Sequence, residues 1–562
     1  MAAAPAAFRG DTLGQSSSEG QFPLRLTSPT AASAGAGRTS GATGGGGAAQ
    51  PRQLHRIAMV SDFFYPGFGG VEIHMYNVAQ CLLRRGHKVI IISRAYGDRN
   101  GIRYTTNGLK VYHVPFVGVQ LPPGTVTLPT LWSGLPLLRD IFLRERITIV
   151  HGHQTTSNLC HEALFHAGTL GLKVCFTDHS LFGFADAASI HINKVLEWSL
   201  RCVDQVICVS NTSRENTVLR AKIAPHRVSV IPNATDTASF TPPAAMRYRT
   251  HSAAGDDITI VVVTRLVYRK GSDLFVDVIP EICRRYPRVK WVVGGDGPRK
   301  PQLDRMVDKH GLHDRVKLLG ALKHSDVRSV LCQGQIFLNC SLTEAFCIAL
   351  IEAASCGLLC VSTGVGGVPE VLPDDMLLLA EPEPQSIIAA VEEALHRVPR
   401  VSPWEMHEKC CRYYSWDWVA ERTERVYDRV SLMPTMSLVE RLVRYAAVGR
   451  IYGVICVCIC ALDWLFLQML QWWRPEHDIE VAADFPSKAF AAHHDALLRE
   501  RGRSSEEDSK PLAAARKATA GVSGASAAPK STPPAQNTPK GQAAAGASGV
   551  SGGGSTTSGK RD

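Results

Sequence analysis

The chain has 562 residues, and this length predicts at least two domains because a single hydrophobic core seldom grows beyond about 250–300 residues. Hydrophobic residues make up 45% and charged residues 20% of the chain, which excludes a wholly disordered or fibrous protein. The net charge of +10 permits contact with anionic lipid or phosphate without specifying either one.

The two ends of the chain differ in composition from its middle. Residues 1–52 are rich in Ala, Gly, Ser and Thr and contain no run apolar enough for a signal-peptide core. Residues from about 500 to 562 are similar. Such segments bury too little apolar surface to offset the entropy of ordering, so both ends are predicted to be disordered. An N-terminal transit peptide is the alternative for the first segment.

The middle of the chain alternates short apolar runs with helical patterns, and these β-branched runs are typical of strands buried in parallel sheets. The predicted strands are Ile57–Ser61, Lys88–Ser93, Ile147–His151, Val174–Thr177, Val206–Ser210, Val228–Ile231, Ile258–Thr264, Lys290–Gly294, Val316–Leu319, Ile336–Asn339, Leu359–Ser362 and Met376–Leu379. This repetition predicts an α/β fold with two doubly wound, Rossmann-like domains, at 53–235 and 236–430, facing a cleft.

Ligands of such folds bind at the carboxyl ends of the strands, so the residues that follow each strand are the site candidates. The turn 63–72 contains Gly69 and Gly70, which allow backbone N–H groups to approach a phosphate at a helix start. A second glycine pair, Gly366 and Gly367, follows a later strand. In both places a tight turn without a ligand is an equal alternative.

Three cations, Arg265, Arg269 and Lys270, directly follow the predicted strand Ile258–Thr264. Cations are electrostatically disfavoured at a helix N-terminus, so their presence is explained if an anion binds there. Arg265 and Lys270 have the spacing to clamp a diphosphate. A solvated helix start is the alternative interpretation.

Two carboxylates, Glu344 and Glu352, follow the predicted strand Ile336–Asn339. Along a helix their spacing is about 12 Å, whereas the paired carboxylates of a glycosidase lie roughly 5–9.5 Å apart. We therefore expect them to hold opposite ends of an extended ligand such as a nucleotide sugar. A capping glutamate together with an ordinary helical glutamate is the alternative.

Near the C-terminus, residues 451–473 form a predominantly apolar run that is long enough to cross a bilayer as a helix. The preceding segment, 431–450, contains Arg441, Arg444 and Arg450, whereas the tail 474–562 begins with Arg474 and then has Glu476, Asp478 and Glu480. The positive-inside rule then places residues 1–450 in the cytosol and the tail on the other side. A buried core helix is the alternative. Asp463 lies in mid-span, where a carboxylate is expected to face a partner helix.

These motifs resemble a known group of enzymes. The pattern of Arg265, Lys270, Glu344, Glu352 and the second glycine pair resembles the retaining, metal-independent glycosyltransferases of the GT-B fold that carry the E-x7-E motif. Longer stretches resemble the family of catalytic A subunits of phosphatidylinositol N-acetylglucosaminyltransferase, at 59–72, 85–97, 176–186, 209–220, 261–271 and 341–357. The resemblance extends over about 55–475 and leaves the two tails outside.

The resemblance implies a role for each candidate residue. Arg265 and Lys270 would neutralise the donor diphosphate, Glu344 would hold the sugar hydroxyls, and Glu352 would hold the ribose. His179 matches an active-site histidine of the family, although a structural histidine is the alternative. The other implied positions contact donor phosphates or sugar: Gly69, Gly70, Phe346, Cys347, Ile348, Gly366 and Gly367. The resemblance implies no metal, no cofactor besides the donor and no general base that can be named.

The implied reaction is the transfer of N-acetylglucosamine from UDP-N-acetylglucosamine to phosphatidylinositol, the first step of GPI-anchor synthesis. The resemblance also implies an endoplasmic reticulum membrane protein with a cytosolic catalytic body, working in a multi-subunit complex and without nucleic acid. Two alternatives stay open: another lipid glycosyltransferase, such as an inositol-lipid mannosyltransferase, and a non-catalytic nucleotide-sugar-binding scaffold.

Overall fold

The computed structural model describes residues 53–67, 69–121, 124–183, 187–247 and 257–485. The disorder predicted for residues 1–52 and for residues from about 500 to 562 concerns segments that lie outside the described residues. Within the described part, helices and strands alternate as the apolar pattern predicts.

The first half of the chain is built around one large sheet. Its strands and those of a small hairpin are β1 (Arg56–Val60), β2 (Lys88–Arg94), β3 (Gly101–Tyr104), β4 (Lys110–Val114), β5 (Gly118–Leu121), β6 (Gly124–Thr127), β7 (Ile149–His153), β8 (Lys173–Asp178), β9 (Gln205–Cys208) and β10 (Val228–Val230). The eight-stranded sheet has the order β10-β9-β8-β7-β1-β2-β4-β3, and β5 pairs with β6. All neighbours in the large sheet are parallel except β3, which runs antiparallel to β4 at the edge.

Five α-helices belong to this half: α1 (Gly70–Arg84), α2 (Leu135–Arg144), α3 (Asn158–Thr169), α4 (Ala187–Ser199) and α5 (Asn211–Ala221). Serine side chains cap two of them, since Ser157 accepts a hydrogen bond from the backbone of Cys160 and Ser210 accepts one from that of Ser213. Strands β2 and β4 follow on one side of β1, and strands β7 to β10 follow on the other side. This change of side between β1 and β7 creates a crevice at the carboxyl ends of these two strands.

The second half has a six-stranded parallel sheet with the order β13-β12-β11-β14-β15-β16. Its strands are β11 (Ile258–Val263), β12 (Val289–Gly294), β13 (Val316–Gly320), β14 (Ile336–Asn339), β15 (Leu359–Thr363) and β16 (Leu377–Ala380). The helices that follow are α6 (Leu274–Arg285), α7 (Lys300–His310), α8 (His324–Leu331), α9 (Ile348–Ser355), α10 (Pro384–Arg397), α11 (Pro403–Tyr413), α12 (Trp416–Ser431), α13 (Leu438–Ala446) and α14 (Arg450–Trp473).

Each strand predicted from the sequence is present, with bounds that differ by two residues at most. The prediction missed β3 to β6. Strand β3 is exposed along its whole length, and β4 carries Lys110 and His113 among its apolar residues, so neither has the continuous apolar run of a central strand.

The hydrophobic cores do not follow the predicted domain boundary at residue 430. Helix α12 packs against α1, and its Trp416, Tyr427 and Val430 share a core with Ile57 of β1. Ion pairs reinforce this packing, because Glu424 of α12 contacts both Arg85 (2.5 Å) and His87 (3.0 Å). The chain thus returns to the first half after completing the second sheet.

Helix α14 is 24 residues long and is, among the described residues, the one helix long and apolar enough to cross a membrane. One side of it packs against α3 and α13, and apolar side chains such as Val454 and Leu465 are exposed on the other. The segment after α14 also contacts the first half, because Arg474 pairs with Asp140 at 2.5 Å.

The predicted partner of Asp463 lies within this chain. Asp463 is fully buried, pairs with His166 of α3 at 2.8 Å and accepts a hydrogen bond from Thr169. Burial would lower the pKa of His166, but hydrogen bonds to Asp463 and Glu162 raise it to about 9. Arg441 of α13 joins the cluster by donating to Thr169 over 2.9 Å. The carboxyl group of this apolar helix is therefore paired against the protein body.

Candidate functional site

The cations and the first glutamate predicted from the second half meet at the centre of its sheet. Arg265 and Lys270 follow β11, Glu344 follows β14, and these two strands are neighbours. Lys270 forms a short ion pair with Glu344, and the Ser341 hydroxyl lies 2.8 Å from the same carboxylate. The sequence therefore predicted this cluster correctly as a juxtaposition, and its function stays a prediction.

The glycine turn after β1 faces this cluster from the first half. A Cβ atom on Gly70 would lie 3.7 Å from Cδ1 of Ile348, the residue that begins α9. The carboxylate of Glu72 folds over the turn, and a Cβ atom on Gly69 would meet its Oε2 at 2.6 Å. Burial raises the pKa of Glu72, and the positive charge of Arg265 opposes that shift. The two halves therefore face each other here, as the sequence predicted.

The helix start predicted to contact phosphate contains an unusual backbone conformation. Cys347 precedes α9 with φ of 75°, a left-handed conformation that is uncommon for a residue with a side chain. Phe346 before it is buried. Helix α9 begins directly after Cys347, at Ile348. Free N–H groups at a helix start favour an anion.

Glu352 differs from Glu344 in having no ion-pair or hydrogen-bond partner among the described side chains. It lies in the middle of α9, and burial alone raises its pKa from 4.5 to about 8. Glu352 is half-buried, and an unpartnered carboxyl in such a position is costly, so this position is suited to a ligand that supplies hydrogen-bonding groups. Helix α9 begins at Ile348, so Glu344 lies before the helix and the predicted separation along one helix does not apply to this pair.

Steric contacts within the protein are sufficient to explain why the residues at positions 366 and 367 are glycines, whether or not a ligand binds there. Gly366 has φ of +57°, and a Cβ atom on it would lie 2.1 Å from the backbone oxygen of Glu344. The same atom on Gly367 would lie 2.2 Å from the oxygen of Ala345. The two glycines thus allow the turn to pack directly on the backbone that carries Glu344. This packing corresponds to the alternative given for the second glycine pair, a tight turn without a ligand.

Glu370, which the sequence argument did not single out, joins the two halves. Its carboxylate accepts hydrogen bonds from the backbone N–H groups of Asn211 (2.7 Å) and Thr212 (2.9 Å) at the start of α5, and from both of their side chains. A carboxylate at a helix N-terminus is favourable. The sequence feature that could have identified Glu370 is its position four residues after Gly366, in the turn that follows a strand.

His179 follows β8 and lies in an array of histidines of which the sequence argument named only this one. Its Nε2 is 3.3 Å from Nδ1 of His153, and its ring centroid is 4.7 Å from that of His74. The ring of His151 lies 4.2 Å from that of His153. The missed signal was the His-Gly-His run that ends β7, since it places two imidazoles on one side of a strand end.

Burial keeps these imidazoles uncharged. It lowers the pKa of His74 to about 4 and that of His151 to about 3, and it holds the pKa values of His153 and His179 well below 6.5. Neutral imidazoles are the form that ligates metals, and nitrogen atoms of His74, His153 and His179 all lie within 4.8 Å of one another. Within the described part of the chain these three residues are the group that has the spacing to hold a metal ion.

Comparisons with known proteins agree with this architecture. A family model described as PIGA (GPI anchor biosynthesis) matches residues 94–186, and one described as glycosyl transferases group 1 matches 248–410. The solved structure of sucrose-phosphate synthase from Thermosynechococcus elongatus aligns with a TM-score of 0.53 and 18% identity, covering 67% of this chain and 99% of that one. Anabaena Alr3699/HepE in complex with UDP aligns with a TM-score of 0.51 and 14% identity, covering 66% and 100%.

The class that the two facing sheets and these matches define is the GT-B glycosyltransferase fold. Among curated proteins, the phosphatidylinositol N-acetylglucosaminyltransferase A subunit of Arabidopsis thaliana is 57% identical over 436 residues, covering 78% of this chain and 95% of the relative. The human protein of that name is 52% identical over 436 residues, covering 77% and 88%. The chain belongs to the family of phosphatidylinositol N-acetylglucosaminyltransferase A subunits.

Proposed function

We propose that this chain transfers N-acetylglucosamine from UDP-N-acetylglucosamine to phosphatidylinositol, the first step of GPI-anchor synthesis. The observation that carries the proposal is the Lys270–Glu344 ion pair at the meeting ends of β11 and β14, facing the start of α9. A cation, a carboxylate and free backbone donors in one place match a ligand that has a diphosphate next to a sugar. Family membership supplies the identity of the donor and the acceptor.

We propose that the bound donor separates Lys270 from Glu344. A diphosphate beside Lys270 competes with Glu344 for the ammonium group, and Glu344 then accepts hydrogen bonds from sugar hydroxyls. Arg265 is exposed at the same strand end and adds a second cation. Glu352, which lacks a partner among the described side chains, accepts the ribose hydroxyls. In the complex, Lys270 and Glu344 thus exchange their ion pair for contacts with the donor. Glu352 gains a hydrogen-bond partner that it lacks among the described side chains.

The proposed reaction retains the configuration at the anomeric carbon. The bond between that carbon and the β-phosphate oxygen breaks, and a bond to an inositol hydroxyl oxygen forms on the same face of the sugar. The inositol proton moves to the departing β-phosphate, so the products are the glycosylated lipid and UDP. Lys270 and Arg265 stabilise the charge that develops on the diphosphate, as preorganised cations in a cleft do most effectively.

No metal is required by this proposal, because two side-chain cations serve the diphosphate. Transfer is expected to continue unchanged in excess chelator. Loss of transfer on chelation, with recovery on adding Zn²⁺, would contradict metal independence and would direct attention to His74, His153 and His179.

The acceptor is a membrane lipid, so the chain is proposed to be anchored in the endoplasmic reticulum membrane by α14, together with other membrane subunits. The charge pattern favours a cytosolic body and a lumenal tail. A lumenal flank cannot touch a cytosolic body, so the contacts between this flank and the first half must be absent from such an inserted form. They include the pairs of Arg474 with Asp140 and of Asp484 with Lys88 (2.6 Å). The pairing of Asp463, at mid-span, with His166 of α3 must be absent as well.

A protease-protection experiment tests this topology. An epitope at the C-terminus of the full chain in sealed microsomes should resist protease until detergent is added. Cleavage without detergent would show that both flanks of α14 lie on the cytosolic side, as their contacts with the first half require.

The reaction is tested in membranes of cells that lack the endogenous subunit, supplied with this chain. Labelled sugar should move from UDP-N-acetylglucosamine to phosphatidylinositol, and GDP-mannose should give no product. Product from GDP-mannose alone would favour an inositol-lipid mannosyltransferase. Absence of product from any nucleotide sugar, with the complex assembled, would favour a scaffold.

A further inference from the structure

Two histidines at neighbouring strand ends have a spacing that the proposed reaction does not use. His153 ends β7, and His179 follows β8. Nδ1 of His153 and Nε2 of His179 are 3.3 Å apart. Two nitrogen ligands of a tetrahedral Zn²⁺ ion, each bound at about 2.0–2.1 Å, are also separated by about 3.3 Å. These two imidazoles therefore have the spacing of a metal-bound pair.

His74 of α1 supplies the third nitrogen. One nitrogen from each of the three imidazoles lies within 4.8 Å of those of the other two. Nδ1 of His74 is 2.8 Å from the side-chain oxygen of Asn233, which can only accept, so Nδ1 carries the proton and Nε2 keeps its lone pair. Metal-bound histidines are typically oriented by an acceptor on the other ring nitrogen. His74 is thus held in the form that ligates a metal.

His151, the fourth imidazole of the array, has no nitrogen to offer. Its Nδ1 lies 2.7 Å from the hydroxyl of Tyr427, and its Nε2 lies 2.7 Å from the hydroxyl of Thr177. Its ring packs against that of His153 with the centroids 4.2 Å apart. The site is therefore limited to three ligands, and His151 provides a matched control.

The three nitrogen ligands determine which kind of ion the site accepts. Imidazoles match Zn²⁺, Co²⁺ or Ni²⁺, whereas Mg²⁺ and Ca²⁺ require oxygen ligands. Burial keeps the three rings uncharged, so no proton has to leave before a metal binds. His74 and His153 are buried, whereas His179 is partly exposed. An ion therefore reaches the site on the side of His179, where its fourth coordination position stays open.

We propose that His74, His153 and His179 bind a divalent transition metal of the zinc type, and that a metal bound there slows sugar transfer. The site rests on the ligand spacing, on the orientation of His74 by Asn233 and on the access past His179. The effect on transfer rests on the proposed function, because the resemblance places His179 in the active site. That reaction needs no metal, so an ion at this wall of the cleft acts as an inhibitor.

Cobalt binding tests the site without requiring turnover. The full chain, purified in detergent without a polyhistidine tag, is titrated with Co²⁺, whose visible absorption reports a four-coordinate site with nitrogen ligands. One such Co²⁺ should bind per chain, Zn²⁺ should displace it, and excess Mg²⁺ should not. Absence of this absorption in the folded native chain would overturn the proposal.

Two substitutions assign the absorption to the three histidines. His179→Gln should weaken Co²⁺ binding about 100-fold, since losing a ligand costs at least as much as losing the group that orients one. His151→Gln removes the neighbouring imidazole that has no free nitrogen and should leave binding unchanged. Equal binding by the two folded variants would overturn the proposal.

A chemical label tests the same site in the native chain, so the result does not depend on whether a variant folds. Diethyl pyrocarbonate modifies accessible imidazoles, and mass spectrometry gives the extent of modification at each histidine. Zn²⁺ should protect His179 several-fold and leave the exposed His396 unprotected. Equal modification of His179 with and without Zn²⁺ would overturn the proposal.

The transfer assay tests the effect of the bound metal. Transfer should fall as Zn²⁺ fills the site, with half-inhibition at the Kd measured by displacement of Co²⁺, and chelator should restore the rate of the untreated chain. Asn233→Leu removes the acceptor that orients His74 and should raise both values together by about tenfold. Zn²⁺ bound at the site without loss of transfer would overturn the inhibitory effect. Metal binding in a native chain that gives no product would contradict the reaction and leave the metal site in place.

Discussion

The second half of the chain contributes an ion pair to the cleft, whereas the first half contributes uncharged imidazoles. Lys270 and Glu344 neutralise each other and remain partly open to solvent. His74 and His153 are buried, and their pKa values are lowered until they are neutral near pH 7. The first arrangement can exchange its partners for an anionic ligand, and the second cannot do so without first gaining a proton.

This difference indicates which half of the chain contacts the charged part of the ligand. We propose that the charged side binds and stabilises the diphosphate, because it offers a cation that is already paired with a replaceable carboxylate. The histidine side forms an uncharged wall of the cleft and is cross-linked by hydrogen bonds, such as the one between His74 and Asn233 (2.8 Å).

Lys270→Met should reduce kcat of sugar transfer by on the order of 100-fold or more, because it removes a preorganised cation from the leaving diphosphate. Lys290→Met is the matched control, since Lys290 is an exposed lysine of the same half that pairs with Asp257. Steady-state rates with both substrates saturating measure the effect. Similar rates for the two variants would contradict the role of the charged side.

Glu370→Ala should reduce kcat/KM about tenfold, because four hydrogen bonds that hold the second half against α5 are lost together. Glu383→Ala removes an exposed glutamate of the same half and serves as the control. An activity equal to that of the control would show that the halves keep their geometry without this link.

Glu352→Gln should raise the melting temperature by about 5 °C at pH 8.5 and change it little at pH 5. The folded pKa of about 8 lies above the ordinary value of 4.5, so this group's contribution to stability is present at low pH and is lost as pH rises through 8. Differential scanning fluorimetry without ligand measures the shift. A shift of the same size at both pH values would indicate a packing effect instead.

The melting temperature of the native chain is expected to fall between pH 7 and pH 5. In His74→Gln this fall should be smaller by about 3 °C. The folded pKa of about 4 lies below 6.5, so acid favours the unfolded chain, in which the imidazole binds a proton. The exposed His396 provides the control substitution, His396→Gln. An unchanged fall in the His74 variant would show that this imidazole is already charged in the folded protein.

The sequence predicted the charged side of the cleft well and the histidine side poorly. Arg265, Lys270 and Glu344 directly follow apolar strands, so their position at one sheet edge follows from the parallel topology. His74 lies on a helix and His153 within a strand, and neither has a charge pattern that distinguishes it from a core residue. Their proximity to His179 depends on the pairing of β7 with β8 and on the packing of α1, which sequence spacing does not specify.

The fold shows a similar limit. Central strands were predicted because they are continuously apolar, but the return of α12 to the first half was not, since its amphipathic pattern is equally suited to either sheet. The role of Glu370 was missed for the same reason, because a link between halves depends on how the two sheets face each other. Asp463 was predicted to need a partner, and only the structure identifies His166 as that partner.

The most direct test of the central claim is kcat for transfer from UDP-N-acetylglucosamine to phosphatidylinositol, measured for Glu344→Gln against Glu281→Gln. Both glutamates are ion-paired, but Glu281 pairs with arginines on α6, away from the strand ends. The account predicts native turnover for the Glu281 variant and a loss of at least about 100-fold for the Glu344 variant, with both proteins folded. Equal turnover in the two variants would contradict the proposal that the cleft between the two sheets is the catalytic site.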